Sequence, residues 1–410
     1  MSSLPFPGRG GRFLLAALAL LSASPAAWSR SLTPDDVVQA ALSAPAIAEA
    51  DAASDAARAL RGQSALLRYN PQLDAALVAG ERLSLDLIQP LSLGGEGVAT
   101  RRLADQTLAG AEAAARRARL SVAAAARVAY TDAVVADRQL GIASSGAELA
   151  ARLTAAVKRK HEEGEAALLD LRLARLAEAQ AATRLLDARA AQVAALRALS
   201  RLTGLVIEEA QLHEAPLDSA PAASGAAPTE RSDITAARSA LAAAEAELTR
   251  QRAMSLPLVG VGVTMERDSS ETAFGPAVSL ALPLFDRNQR GRAAASGALT
   301  AAEARLARVD ASAETEQQTA AVRRDEAEAL LEHLGDALVA EGEAALESVS
   351  RGYAAGEIDL IATVLLQAEI LDGQTAAVEM TGRVTAARID LLLAIEDDAL
   401  LPSALPGGDR

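Results

Sequence analysis

The sequence predicts a mainly α-helical protein with a small β part, organised as a duplicated β-β-α-α unit with long coiled-coil-like helices. Three observations predict this fold class. Of the 410 residues 50% are apolar and only 2% aromatic, and alanine interleaved with charged residues is typical of long packed helices. Proline is absent from residues 98–160, 165–203, 288–352 and 357–398. Two sequence landmarks also recur about 192 residues apart.

The residue counts exclude several classes of function. The chain has no cysteine, which removes disulfides, thiolate zinc sites, iron–sulfur clusters and an acylated cysteine. The formal net charge of -14 and the isoelectric point near 4.9 argue against a nucleic-acid partner, because phosphate binding requires clustered basic residues. His161, His213 and His333 lie far apart without partners at ligand spacing, so we expect neither a metal site nor a cofactor.

Residues 1–29 have the pattern of a cleaved secretory signal. Arg9 and Arg12 precede a run of nine apolar residues at 13–21, and small residues follow. A bilayer-spanning helix needs about 20 apolar residues, so this run is too short. An uncleaved apolar anchor is the alternative interpretation. After the signal, the sequence contains no apolar stretch long enough for a membrane helix.

The landmarks predict a tandem duplication. Pro90 and Pro283 are 193 residues apart, and each ends an alternating segment ahead of an alanine-rich stretch. Gly164 and Gly356 are 192 residues apart, and each divides two proline-free stretches. The predicted divisions are a signal at 1–29, a first repeat at 30–213, a linker at 214–229, a second repeat at 230–398 and a C-terminal tail at 399–410. Each repeat has a strand pair, at about 73–91 or 256–285, and a helical hairpin, at about 98–203 or 288–398.

The strand segments alternate between apolar and polar residues, as half-buried strands do. Strands of 9 to 11 tilted residues are what a membrane barrel requires. Four strands cannot close a barrel, and open strand edges are not tolerated in lipid. If these strands cross a membrane, several copies must therefore share one barrel, with eight strands from two copies or twelve from three.

Five segments resemble motifs of the TolC-type outer-membrane efflux protein family. The string LPLFDRNQ at 282–289 looks like a family hallmark and also resembles the heavy-metal cation efflux (CzcC-like) branch. Residues 70–73 (NPQL) and 89–95 resemble the two ends of the first strand pair, and 353–357 (YAAGE) resembles the hairpin tip of the second repeat. Residues 231–234 (RSDI) resemble the start of the second half, where an Arg-Pro-Asp variant is usual. The resemblance covers residues 32–398.

The resemblance implies a homotrimer in the outer membrane of a Gram-negative bacterium, extending into the periplasm. Four strands per protomer would contribute to a shared transmembrane β-barrel, and the helices would form a periplasmic α-barrel. Its partners would be outer-membrane lipid, a periplasmic adaptor (membrane fusion) protein and an inner-membrane pump of the RND type. The channel itself would be passive and would catalyse no reaction. It would conduct substrates, heavy-metal cations on the CzcC-like resemblance, from the inner-membrane pump and the adaptor to the exterior.

The helix-hairpin tips are the candidate functional residues. The resemblance implies adaptor docking at Gly164, Glu165, Leu168, Leu169, Gly356, Glu357, Leu360 and Ile361. The candidate periplasmic gate is Tyr353, Asp359 and Asp170. Structural alternatives exist for each: the glycines suit a left-handed helix turn, the carboxylates suit a helix start, and the leucines suit helix packing.

This chain departs from the family pattern at the gate. In the best-known member, acidic residues two and three turns after the tip glycine narrow the channel, whereas this chain has Ala362 and Leu365 there. A carboxylate ring formed by Glu357 and Asp359 is the alternative cation-attracting feature. A periplasmic coiled-coil adaptor or scaffold protein of an export system is the competing function. Two tandem hairpins argue against it, because an adaptor would have one.

Overall fold

A computed structural model of the chain describes residues 32–61, 69–78, 82–91, 94–207, 212, 215–224, 230–268, 271–334 and 337–402. The predicted signal at 1–29 lies outside the described residues. The first half contains α1 (Pro34–Leu42), α2 (Pro45–Arg61), β1 (Gln72–Val78), β2 (Arg82–Leu91), α3 (Glu96–Glu162) and α4 (Leu168–Thr203). The second half contains α5 (Ser232–Ala253), β3 (Leu258–Arg267), β4 (Thr272–Ala281), α6 (Gln289–Leu334), α7 (Ala337–Ala355) and α8 (Leu360–Ala394).

The predicted fold class is confirmed, and each repeat also contains a helix ahead of its strands. The helix α2 precedes β1 and the helix α5 precedes β3, so the repeated unit is α-β-β-α-α. The longest helix, α3, has 67 residues and therefore extends about 100 Å at 1.5 Å per residue. The second strand pair, predicted at 256–285, ends earlier than expected: β4 stops at Ala281, its last paired residue, so Leu282 and Leu284 lie beyond it.

The four strands form one antiparallel sheet in the order β1-β2-β3-β4. Leu73 pairs with Leu87, Leu87 with Val263 and Val263 with Pro276, so one face of the sheet is apolar across its width. The opposite face carries polar and small residues, namely Asp74, Asp86, Ser84, Thr264, Glu266, Gly260, Gly262 and Ser279. Both outer strands, β1 and β4, have one edge without a partner in the part of the sheet that is described. The described sheet is therefore amphipathic and open at both edges.

The helices form two layers stacked end to end along α3 and α6. Next to the sheet, α2, α3, α5 and α6 pack in that order; further away, α4, α3, α8 and α7 do so. In both layers, and in the sheet, elements of the first repeat lie at one side and elements of the second repeat at the other. This shared arrangement leaves first-repeat elements at one edge of the molecule and second-repeat elements at the opposite edge.

The main core lies at the junction of the two helical layers. Leu120, Tyr130 and Val134 of α3 are buried there against α1, the end of α4 and the end of α8. The Tyr130 hydroxyl donates a hydrogen bond to the backbone oxygen of Leu32 (2.9 Å). Leu400, which falls within the predicted C-terminal tail at 399–410, is fully buried in this core. The packed chain therefore continues past the predicted boundary, through Leu401.

The left-handed backbone positions repeat with the duplication. All six described residues with positive φ fall into three pairs: Gly95 with Asn288, Gly164 with Gly356, and Gly204 with Glu396. The members of each pair are 193, 192 and 192 residues apart. The backbone therefore has the same reversals in both halves, although the side chains at two of the three positions have diverged.

The glycine-rich segment at 94–97 is a strand-to-helix turn, as its second-repeat counterpart is. Gly95 accepts a hydrogen bond from the Ala99 amide, and Asn288 accepts one from the Arg292 amide, both at 3.0 Å. The Asn288 side chain also donates to the backbone oxygen of Gln251 (2.9 Å), which ties the start of α6 to α5.

Candidate functional site

The first hairpin tip is a tight turn built around Gly164. Its φ of 82° is left-handed, which glycine adopts without a steric penalty. The Gly164 amide donates to the His161 oxygen (3.0 Å), and the Glu165 amide donates to the Lys160 oxygen (2.7 Å). This pair of bonds is the Schellman motif, which satisfies carbonyls left open at the end of α3.

The second tip has the same geometry around Gly356. Its φ is 77°. The Gly356 amide donates to the Tyr353 oxygen (3.1 Å), and the Glu357 amide donates to the Gly352 oxygen (2.9 Å). The same two bonds at matching positions mean that the chain reverses identically at both tips.

The two candidate gate carboxylates stabilise the helices that leave the tips. Asp359 is the N-cap of α8 and accepts a hydrogen bond from the Ala362 amide (2.7 Å). Asp170, in the first turn of α4, accepts one from the Ala167 amide (3.1 Å). Carboxylates at these positions satisfy free amides and complement the helix dipole. The structure therefore gives both residues a local capping role.

Both tips lie at the same end of the molecule and contact each other. The Lys160 ammonium nitrogen lies 4.8 Å from the centre of the Tyr353 ring, a cation–π contact between the two tips. The Tyr353 ring also packs on an apolar cluster that contains Val157, Leu171 and Leu360. Partial burial, with a further contribution from the negative charge of Asp170, raises the pKa of the Tyr353 phenol. The phenol therefore stays protonated at neutral pH.

The apolar tip residues divide into exposed and buried ones. Leu168, Leu169 and Ile361 are 51%, 63% and 57% exposed. Leu360 is only 7% exposed and belongs to the cluster beneath Tyr353, so its role is packing and not docking. Glu165 and Glu357 are exposed at the turns. Sequence reasoning did not identify Lys160, because only the pairing of the two tips reveals its contact.

A second cluster of charges lies at the junction of the helical layers. Arg231, just ahead of α5, is buried and donates hydrogen bonds to Asp233 (3.0 and 2.5 Å) and Glu316 (2.8 Å). It also donates to the backbone oxygens of Ala313 (3.3 Å) and Ala394 (3.2 Å). Burial alone would lower the pKa of the guanidinium, but the hydrogen bonds to the two carboxylates outweigh burial and raise the pKa. Arg231 therefore joins the start of α5 to the end of α8.

Glu396 completes this junction from the other side. Its buried carboxylate accepts hydrogen bonds from the Ser232 amide (2.7 Å) and from Arg117 of α3 (3.3 Å). Its φ of 54° is unusual for a residue other than glycine, and these two bonds hold the backbone there. The segment at 231–234 that resembles the start of the family's second half therefore lies at the junction between the layers.

Neither a cluster of metal ligands nor a membrane-spanning helix occurs in the described part of the chain. Among those residues, no group of three or more histidine, aspartate and glutamate side chains is close enough to hold a metal ion. None of the helices described there is both long and apolar enough to span a bilayer.

Comparison with known proteins gives concordant matches. The family model described as "Outer membrane efflux protein" matches residues 224–395. The nickel and cobalt resistance protein CnrC of Cupriavidus metallidurans is 29% identical over 305 residues, which cover 70% of this chain and 72% of the relative. The nickel-cobalt-cadmium resistance protein NccC of Alcaligenes xylosoxydans xylosoxydans is 28% identical over 225 residues, or 54% of this chain and 51% of that relative.

The fold also matches solved structures. The Campylobacter jejuni CmeC outer membrane channel superposes with a TM-score of 0.71, with coverage of 90% of each chain. Its sequence is 18% identical, so this likeness concerns the fold.

Proposed function

Because the chain belongs to the outer membrane efflux protein family, we propose that it is the outer-membrane channel subunit of a tripartite efflux pump. Three copies share one twelve-stranded barrel, and the long helices form the periplasmic tube. The channel is passive, and an inner-membrane pump of the RND type supplies the energy through a periplasmic adaptor. The competing adaptor function does not fit, because the chain has two tandem helical hairpins.

One observation carries this proposal: the sheet is apolar on one face, polar on the other and open at both edges. An apolar face such as that of Leu73, Leu87 and Val263 suits contact with lipid, and these side chains are 67%, 51% and 54% exposed. The face with Asp74, Ser84 and Thr264 suits a water-filled lumen. Open edges cannot persist in lipid, so neighbouring copies must complete the wall.

The transported substrates are proposed to be heavy-metal cations. The support comes from the two relatives, which are both named as nickel and cobalt resistance proteins. Carboxylates of the polar sheet face, Asp74, Asp86 and Glu266, and the exposed Glu165 and Glu357 at the tips would give a cation-attracting passage.

The tips are proposed as both the periplasmic gate and the adaptor-docking surface. The contact of Lys160 with Tyr353 holds the two hairpins of one copy together, and its loss would accompany opening. Asp170 and Asp359, which cap the adjoining helices, complete the gate. Exposed residues at the same end offer a surface for the adaptor, namely Gly164, Glu165, Leu168, Leu169, Gly356, Glu357 and Ile361.

The proposal is tested in a Gram-negative deletion strain complemented with the wild-type gene. We expect the deletion to reduce tolerance of nickel, cobalt or cadmium, and complementation to restore it. Unchanged metal tolerance with new antibiotic sensitivity would replace the metal assignment with drug efflux. Fractionation tests the channel itself: the protein should require detergent for extraction and should be trimeric by light scattering. Recovery of a soluble periplasmic monomer would refute the channel.

A further inference from the structure

The connection between β4 and α6 joins exposed apolar side chains to a basic cluster. Leu282 and Leu284 are 56% and 65% exposed, and Phe285 is 96% exposed. Arg287 and Arg290 follow and are also exposed. We propose that this connection anchors the barrel at the membrane boundary nearest the helices, with its apolar side chains at the ends of the acyl chains and its two arginines on the phosphate groups of anionic phospholipids. This inference rests on the proposed channel and adds the lipid that the barrel binds.

The fold does not require these side chains, because the first repeat makes the same reversal without them. At the 193-residue offset, the counterparts of Phe285, Arg287 and Arg290 are small, namely Ser92, Gly94 and Gly97. The helix α6 also has no acidic residue in its first turn, and basic residues at a helix start oppose the helix dipole. Among the described residues, neither guanidinium group has a hydrogen-bond or ion-pair partner. The two arginines are therefore available to an outside anion.

The apolar stretch that ends at this connection has the height of a lipid-facing band. Exposed apolar side chains recur from Phe274 on β4 to Leu284. Ten extended residues cover about 33 Å, or about 25 Å along the barrel axis at a tilt near 40°. Outer-membrane barrels have an apolar band of about this height, flanked by aromatic residues. Phe274 and Phe285 are the two phenylalanines after residue 29, and they lie at opposite ends of this stretch. The connection therefore lies where the headgroups begin.

The local charge favours an anionic lipid as the partner. The whole chain has a formal net charge of -14, but residues 282–292 carry three arginines and one aspartate. Three copies would place the exposed arginines in a ring around the barrel. An anionic membrane surface attracts basic residues beside it, and arginine donates paired hydrogen bonds to phosphate groups. The chain has no cysteine, so an acyl chain on cysteine cannot provide this anchor.

Tryptophan fluorescence tests where the connection lies. The only tryptophan, Trp28, falls within the predicted signal. In a Trp28→Phe background, Phe285→Trp gives a reporter at the connection, and Val278→Trp gives one in the middle of the apolar stretch. Both purified proteins are reconstituted in vesicles of phosphatidylcholine with brominated acyl chains, because bromine quenches nearby tryptophan. We expect bromine near the headgroup to quench the Phe285→Trp reporter more strongly, and bromine near the chain middle to quench the Val278→Trp reporter more strongly.

Brominated phosphatidylglycerol, mixed into phosphatidylcholine vesicles, tests the headgroup contact. At low salt it should quench the Phe285→Trp reporter as if enriched about fivefold, which is the preference that one basic residue near an anionic surface provides. Arg287→Gln with Arg290→Gln should remove this preference. The matched control, Arg305→Gln with Arg308→Gln, removes the same charge about 20 to 30 Å further along α6 and should keep it. Light scattering confirms that each variant is trimeric.

The outcomes separate the anchor from the channel. If neither lipid quenches the Phe285→Trp reporter while the Val278→Trp reporter is quenched, protein covers the connection and the anchor is overturned. A phosphatidylglycerol preference that is absent, that survives the loss of Arg287 and Arg290, or that the control also removes would overturn the headgroup contact. These results would leave the channel intact. Absence of quenching at both reporters would instead overturn the proposed channel, because the sheet would not contact lipid.

Discussion

Arg231 offers the sharpest test of how the two helical layers are joined. We predict that Arg231→Met destabilises the protein by about 3 kcal/mol, because removing one partner of a buried ion pair typically costs about 3 to 5 kcal/mol. The lower value applies here, since Glu316 is 52% exposed and can return to water when the arginine is lost. Asp233 is 27% exposed and would remain partly desolvated without its partner.

The matched control is Arg238→Met, on the helix that Arg231 precedes. Arg238 pairs with Glu230, but both side chains are exposed, at 57% and 45%. Exposed pairs of this kind contribute about 0.2 to 1 kcal/mol. The measurement is urea unfolding of the purified protein in detergent, followed by its helical circular dichroism. Equal losses in the two variants would refute the reasoning that the Arg231 junction holds the layers together.

The pH dependence of unfolding stability, compared between the wild type and Arg231→Met, gives an independent check. Burial alone would raise the pKa of Asp233, but hydrogen bonding to Arg231 and its positive charge outweigh burial and lower the pKa. The lowered pKa stabilises the wild type above the unfolded-state pKa of about 3.9, and this contribution is lost as the pH falls below it. In Arg231→Met, burial still raises the pKa of Asp233 and only the Ile234 amide and the more distant Arg117 charge oppose it, so this pKa is lowered less than in the wild type. The stability difference between the two proteins should therefore narrow as the pH falls from 7 towards 3, and a constant difference would contradict this.

Three further predictions follow from the tips and the sheet. Gly356→Ala should lower the free energy of unfolding by about 1 kcal/mol, because the φ of Gly356 is left-handed. Gly297→Ala, in open space on α6, should raise it by about 0.5 to 1 kcal/mol. Urea unfolding measures both, and equal effects would contradict the turn geometry. Val261→Arg, on the apolar sheet face, should cost up to about 2 to 4 kcal/mol and reduce outer-membrane assembly, whereas Thr264→Arg, on the polar face, should assemble normally; the reverse order would mean that the faces are misassigned. Lys160→Met removes the cation that contacts the ring of the other tip and should raise single-channel conductance in planar bilayers, while unchanged conductance would separate this contact from gating.

The repeats and strand pairs could be predicted because their signals are local. Proline, glycine and strict alternation mark strand ends and tight turns, so Pro90, Pro283, Gly164 and Gly356 pointed to the correct architecture. The sequence did not predict the helix α5, for a physical reason. Alanine fills much of α5, so its buried and exposed sides differ little in polarity and its periodicity is weak. Its alanine content favours a helix locally, but its position between α3 and α6 depends on tertiary packing that the weak periodicity does not reveal.

Residues at the tips show the same division between local and tertiary information. The capping positions of Asp170 and Asp359 follow from their place at a helix start. The difference between neighbouring Leu360 and Ile361 does not, because it depends on how α8 is rotated against α3 and α4. The role of Glu396 was invisible for a similar reason, since its partners Arg117 and Ser232 are distant in the chain.

The pairing of Gly204 with Glu396 has a consequence for how the duplicated halves can evolve. Gly204 adopts its left-handed backbone without a steric penalty and offers no side chain to a partner, whereas Glu396 is a counter-ion of Arg117. Glu396→Gly would relax the backbone but would remove one carboxylate from Arg117, which would keep only the Leu393 backbone oxygen and the more distant Glu316. A change at Glu396 therefore affects Arg117 on another helix, whereas a change at Gly204 removes no side-chain partner.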